Sequence, residues 1–156
     1  MMQRYTIDNA ALFEEIRAML EQGFDARFVV TGNSMWPTLA HSRDEVAVSP
    51  CDNVKRGDIV LLCPIEGRYV LHRVCKVRQN RVYTCGDGNC HRDGDFPTAC
   101  VLGRVTTLYR AGKEIAATRG LYRLYSHLWL LLYPLRPLLL KCLRRMARRR
   151  GGSHGH

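Results

Sequence analysis

From residue 27 to residue 118 short runs of alternating apolar and polar residues are broken by turn formers at intervals of roughly 8–12 residues. The runs are Arg27 to Thr31, Glu45 to Val48, Asp58 to Leu62, Arg68 to Val77, Arg81 to Thr84, Val101 to Tyr109 and Glu114 to Thr118. Ser49-Pro50, Gln79-Asn80 and Ala111-Gly112-Lys113 supply turns between them. Residues 86 to 98 hold three glycines, three aspartates and a proline and read as loop. Segments this short leave no room for long helices; they bury an apolar face only by pairing into an antiparallel sheet. Residues 8 to 22 carry Leu12, Phe13, Ile16, Met19 and Leu20 at helical spacing, with Asp8 or Asn9 able to cap and Gly23 to stop the helix. From Leu121 to about Arg149 the pattern is helical again. The expected architecture is mainly β (α+β): an N-terminal helix (1–26), a coiled, barrel-like antiparallel β domain (27–118) and a helical basic tail (119–156).

The net charge of +10 sits almost wholly in that tail. Residues 1–118 contain 15 Lys and Arg against 14 Asp and Glu, whereas residues 119–156 contain 9 Lys and Arg and no acid. A near-neutral body disfavours a nucleic-acid-binding core, and no nucleic acid is expected as a partner. With 46% apolar and 24% charged residues the chain is globular, not disordered. Glu14, Glu15 and Glu21 interrupt any secretory apolar run near the start. Seven cysteines make an odd number for a disulfide framework and read as reduced thiols in the cytosol. Cys85, Cys90, Cys100 and His91 contain no C-x2-C pair, so neither a metal nor another cofactor is expected.

Leu128 to Leu140 is the longest apolar stretch, 13 residues broken by Pro134, Arg136 and Pro137. A crossing helix needs about 20. Leu121, Leu124, Leu128, Leu131, Leu135, Leu139 and Cys142 share a helical face, and Arg144, Arg145, Arg148, Arg149 and Arg150 crowd the end. Two main readings stand: a helix packed on the β domain with a solvated basic end, or an amphipathic segment, 121–150, lying on an anionic membrane with Arg136 snorkelling outward; RNA binding by the arginines is a third and weaker one. The second predicts a cytoplasmic protein, peripheral at the inner face of a membrane.

Chemistry is concentrated in three places. Thr31 to Leu39 sets Ser34 on a turn after a strand, where a hydroxyl is exposed beside free backbone N–H groups; a cap or turn former is the plainer reading. His72 shares an apolar strand face with Val70 and Val74 and is either a core histidine or a neutral general base. The loop Gly86-Asp87-Gly88-Asn89, with Asp93 and Asp95, can supply a carboxylate to orient that histidine.

These segments, in this order, resemble the S24/S26 serine peptidase superfamily of type I signal peptidases and self-cleaving repressors. Gly32-Asn33-Ser34-Met35-Trp36-Pro37-Thr38-Leu39 is similar to its nucleophile box, G-x-S-M-x-P-T-L. Lys55-Arg56-Gly57-Asp58-Ile59-Val60 is similar to its K-x-G-D-I-V strand. Tyr69-Val70-Leu71-His72-Arg73-Val74 resembles the general-base strand of archaeal and endoplasmic-reticulum signal peptidases, where His replaces Lys. Gly86-Asp87-Gly88-Asn89, then Gly103-Arg104-Val105, resembles the late G-D-N box and closing strand.

The resemblance implies Ser34 as nucleophile, His72 as base and Asp93, six residues after Asp87, as the third member, with Asp87 and Asp95 as alternative acids. Gly32, Asn33, Ser34 and Met35 would form the nucleophile and oxyanion loop. Gly32 stands where many signal peptidases carry a Ser whose hydroxyl helps bind the oxyanion. The implied activity is cleavage of a precursor or leader peptide after a small residue by acyl-enzyme chemistry. A non-catalytic peptide-binding relative, signal-peptide cleavage at the membrane and a repressor-like regulator are the competing readings. The repressor would need a DNA-binding helix-turn-helix, and residues 1–26 offer one helix.

Overall fold

A computed structural model describes residues 9–151. Helix α1 (Asn9–Glu21) precedes strands β1 (Ala26–Val29), β2 (Asp44–Ser49), β3 (Ile59–Ile65), β4 (Arg68–Arg78), β5 (Arg81–Cys85), β6 (Gly94–Pro97), β7 (Val101–Arg110) and β8 (Lys113–Ala116). Helices α2 (Gly120–Leu131) and α3 (Arg136–Gly151) follow, joined through a 3-10 turn at Tyr133–Leu135. The mainly β, α+β expectation holds. Of the two N-cap candidates, Asp8 lies outside the described residues.

All eight strands belong to one antiparallel sheet, ordered β1-β2-β7-β3-β4-β5-β6. β7 is its spine. One of its edges runs along β2, and the other is shared by β3 over Val101–Arg104 and by β8 over Thr107–Arg110. Among the described residues no pairing joins β1 to β6, so the sheet is open where barrel closure was expected. Those end strands have four residues each and one neighbour each.

β3 is buried on both faces, which is why Ile59 to Leu62 is an unbroken apolar run. Ile59 and Leu61 join the larger core with Val46, Val48, Val105, Leu108 and, from α1, Ile16 and Leu20. Val60 and Leu62 join a smaller core on the other face with Val74 and Val82. Register shifts at Ala47/Val48, Leu62/Ile65 and Val74/Lys76 bend the sheet around these cores.

Three expectations are corrected. The stretch 86–98 is not all loop, because Gly94–Pro97 forms β6 on β5. Its glycine and proline hide a strand that an edge position tolerates. Next, not all seven cysteines are free. Cys75 falls in the β4 bulge, outside the ladder register, and is disulfide-bonded to Cys85 across the β4–β5 hairpin. Cys51, Cys63, Cys90, Cys100 and Cys142 are free. Lastly, Arg136 does not snorkel outward: it is 1% exposed, drawn in by backbone oxygens and aromatic rings of the domain. Trp129, Leu130 and Leu140 are also buried, so one side of the tail packs on the sheet. Among the described residues no helix is long and apolar enough to cross a membrane.

Candidate active site

After β1 the chain turns at Gly32, whose φ of +83° is a left-handed conformation that L side chains rarely adopt. The Gly32 N–H donates to His41 Nδ1 at 3.1 Å. The next residues form a tight turn in which the Trp36 N–H donates to Asn33 O at 3.1 Å and the Leu39 N–H to Met35 O at 2.9 Å. Met35 and Leu39 bury their side chains in the larger core, which nails the turn to the sheet. Ser34, between exposed Asn33 and buried Met35, is left partly exposed. Among the described residues the Ser34 N–H has no acceptor.

β4 delivers the histidine. Strand alternation puts Val70, His72 and Val74 on the face of the smaller core, and His72 is 7% exposed. Its Nδ1 lies 3.0 Å from Asp93 Oδ2. The contact is not in line for a full hydrogen bond, and Nδ1 has no other acceptor among the described residues. Asp93 also receives the Gly86 N–H at 2.6 Å on Oδ2 and Asn89 Nδ2 at 2.9 Å on Oδ1. Burial pushes the Asp93 carboxyl up, but His72, Asn89 and the Gly86 N–H together hold it below the usual carboxylate range. It is therefore a carboxylate at neutral pH.

Ser34, His72 and Asp93 line one cleft of about 560 Å³. Its walls include Pro64, Ile65, Val70 and Phe96, with Arg68 and Arg92 at the rim. A hollow of similar size, about 570 Å³, lies between the β2–β3 loop and Arg104 but lacks any such grouping. Beside the cleft β4 is paired on one edge only among the described residues. β3 covers Arg68 to Arg73, while pairing with β5 begins at Arg73.

The other two aspartates lie elsewhere. Asp87 is fully buried and paired with Arg73, whose Nε is 2.8 Å from Oδ1 and Nη2 2.6 Å from Oδ2. Thr38 from the nucleophile turn also donates to it. Asp95 is exposed on β6 and pairs with Arg81 at 2.5 Å. Of the nucleophile loop residues, Asn33 faces a neighbouring hollow with Trp36, Arg144 and Arg148, and Met35 is a core anchor.

Several roles at the site were not anticipated. Gly86 and Gly88 let the loop pass directly under the nucleophile turn: the Gly88 N–H donates to Ser34 O at 2.8 Å. A Cβ on Gly88 would lie 2.9 Å from both Asn33 O and Trp36 O, and one on Gly86 would collide with Ser34 O. Arg73 adds a donor to Gly57 O at 3.0 Å and another to Ser126 Oγ on α2 at 2.7 Å. Arg136 donates to Gly86 O at 3.1 Å, so α3 supports the same loop. The signal available for Arg73 was its place beside His72: by alternation it faces the opposite way, where a buried guanidinium needs an acid.

His72 and Asp93 together can hold an imidazole in the Nδ1–H tautomer with Nε2 free, the arrangement a serine nucleophile requires. No family model and no curated protein sequence matches the chain.

Proposed function

We propose that the protein is a serine endopeptidase of the signal-peptidase type, with a coiled sheet of the S24/S26 kind, that cleaves a precursor or leader peptide after a small residue. The observation that carries this reading is the meeting of Ser34, His72 and Asp93 in one cleft, with Nδ1 and Oδ2 3.0 Å apart. In this mechanism Asp93 holds the Nδ1–H side of the imidazole, which leaves Nε2 to act on Ser34. His72 Nε2 takes the Ser34 proton as Oγ attacks the scissile carbonyl, and the tetrahedral oxyanion is met by the Ser34 N–H. Collapse expels the amine, which leaves with the proton from His72. Water, deprotonated by the same nitrogen, then frees the acyl group and restores Ser34 Oγ–H.

The one-sided edge of β4 beside His72 suits an extended substrate, which would add main-chain hydrogen bonds along Arg68 to Leu71. The preference for a small residue before the cut rests on the family resemblance. A non-catalytic peptide binder has no need of Ser, His and Asp gathered in one cleft, so the grouping favours the enzyme.

Acid quench during turnover, followed by intact-mass and peptide analysis, tests the acyl step. The expected result is an acyl adduct on the peptide that contains Ser34. Continued hydrolysis after Ser34→Ala overturns the assignment.

A further inference from the structure

The outer side of α2 and of the turn into α3 presents Leu121, Leu124, Leu128, Leu131, Leu135 and Leu138, between 49 and 85% exposed. Farther along α3, Arg145, Arg149 and Arg150 are exposed and make no ion pair among the described residues. The opposite side is committed to the domain through Ser126, Trp129, Leu130, Arg136 and Leu140. A contiguous leucine face ending in a run of cations is thus left uncovered, on a segment with no acidic residue from 119 onward.

We propose that this face docks on an anionic lipid bilayer, its leucines in the headgroup boundary and Arg145, Arg149 and Arg150 on the lipid phosphates. Charge complementarity selects the occupant. A second copy of the chain would bring one cationic tail against another. A partner helix would have to follow the face across the break at Tyr133–Leu135, with Pro134 and Pro137 beside it, whereas a fluid lipid surface conforms to it. The membrane-facing set differs from the one the sequence pattern selected: Leu139 is only partly exposed, Arg136 is buried, and Leu138 takes part.

Docking also positions the cleft. On its inner side α3 meets the nucleophile turn: Arg144 donates to Gly88 O at 3.3 Å, and Arg144, Ala147 and Arg148 share a hollow with Asn33 and Trp36. The helix on the lipid is therefore the helix that bonds to the loop under the Ser34 turn and shares a hollow with that turn, and substrates are drawn from chains at the membrane surface. The docking face itself is independent of the peptidase reading, because a Ser34→Ala chain keeps every residue of it.

Co-sedimentation of the full chain with vesicles of phosphatidylcholine, with and without phosphatidylglycerol, tests the docking. Binding is expected only with the anionic lipid, and it should weaken as salt rises. The triple change Arg145→Gln, Arg149→Gln and Arg150→Gln should weaken it roughly a hundredfold, at about fivefold per charge. Leu124→Ser, Leu128→Ser and Leu131→Ser together should weaken it more than tenfold while circular dichroism and melting temperature stay unchanged, because these side chains are exposed. Ser34→Ala should bind like the unaltered chain. The proposal is overturned if the unaltered chain ignores anionic vesicles, if neutral vesicles bind it equally, or if the leucine variant binds undiminished. Sedimentation velocity adds one more contrary outcome: a dimer abolished by the leucine changes would make a second copy the occupant.

Discussion

His72 Nδ1 and Asp93 Oδ2 stand 3.0 Å apart in the lining of the cleft, while the next residue, Arg73, grips Asp87 with two nitrogens on the other side of the strand. Consecutive residues of β4 thus hold both ends of one loop. The alternation of a β-strand makes this possible: one side chain goes to the cleft and its neighbour to the interior. The two contacts differ in kind. One is partly exposed and joins a titratable base to a carboxylate. The other is a fully buried ion pair whose remaining donors reach Gly57 O and Ser126 Oγ.

That difference predicts separable effects of the three candidate acids. Asp87→Asn leaves Arg73 buried without its counter-charge and should cost about 3–5 kcal/mol of stability. Asp93→Asn should cost less stability than Asp87→Asn and lower kcat/KM by several orders of magnitude, because the imidazole loses its orienting group. Asp95→Asn removes only an exposed pair with Arg81 and should change neither quantity appreciably. Thermal melts and rates on the same three proteins check the order.

The loop beneath the nucleophile turn predicts that methyl groups there are poorly tolerated. Gly88→Ala would press a Cβ between Asn33 O and Trp36 O, and Gly86→Ala one against Ser34 O. Either should destabilise the fold by roughly 1–3 kcal/mol and displace Ser34 enough to depress turnover more than stability. Gly67→Ala, where nothing lies within 4 Å of the new Cβ, is the comparison. It should carry only the backbone cost of its +77° φ and leave turnover unaffected.

Acid should weaken the fold through Asp44. This residue is 1% exposed and bonded to Arg110 at 2.7 Å and Arg43 at 2.8 Å. Burial pushes its carboxyl up, but Arg110, Arg43 and the Ala40 N–H hold it well below the usual carboxylate range. The unfolded chain then takes up the proton first as pH falls. The stabilisation is complete above the unfolded value, about 3.9, and is lost as pH drops toward the folded one. Urea unfolding should show Asp44→Asn less stable than the unaltered chain at pH 7, by about 2 kcal/mol, with a shallower decline in acid.

Much of this was legible because local pattern and tertiary role agreed. The alternation of Arg68 to Val77 placed His72 on an apolar face, and the β4 face bears that out. Pattern alone left Asp87, Asp93 and Asp95 open as the acid; the resemblance to the His-type signal peptidases implied Asp93, the carboxylate that lies beside the histidine. Other features depend on contacts that no short segment contains. β6 is a strand only because β5 offers it an edge, and its Gly94 and Pro97 suggest the opposite. Cys75 meets Cys85 through a bulge in the hairpin register. Arg136, inside an apolar run, reads as an intruder until the Gly86 and Trp129 carbonyls and the Trp129 and Tyr133 rings are seen around it.

The measurement closest to the central claim is a digest of a proteome-derived peptide library by the unaltered chain, Ser34→Ala, His72→Ala and the double variant, with new termini read by mass spectrometry. The account predicts cuts after small residues with the unaltered chain. Each single variant should lose them to a similar large degree, and the double variant should fare no worse, since the two groups act as one unit. No cuts by the unaltered chain, or the same cuts at the same rate with Ser34→Ala or His72→Ala, would contradict it.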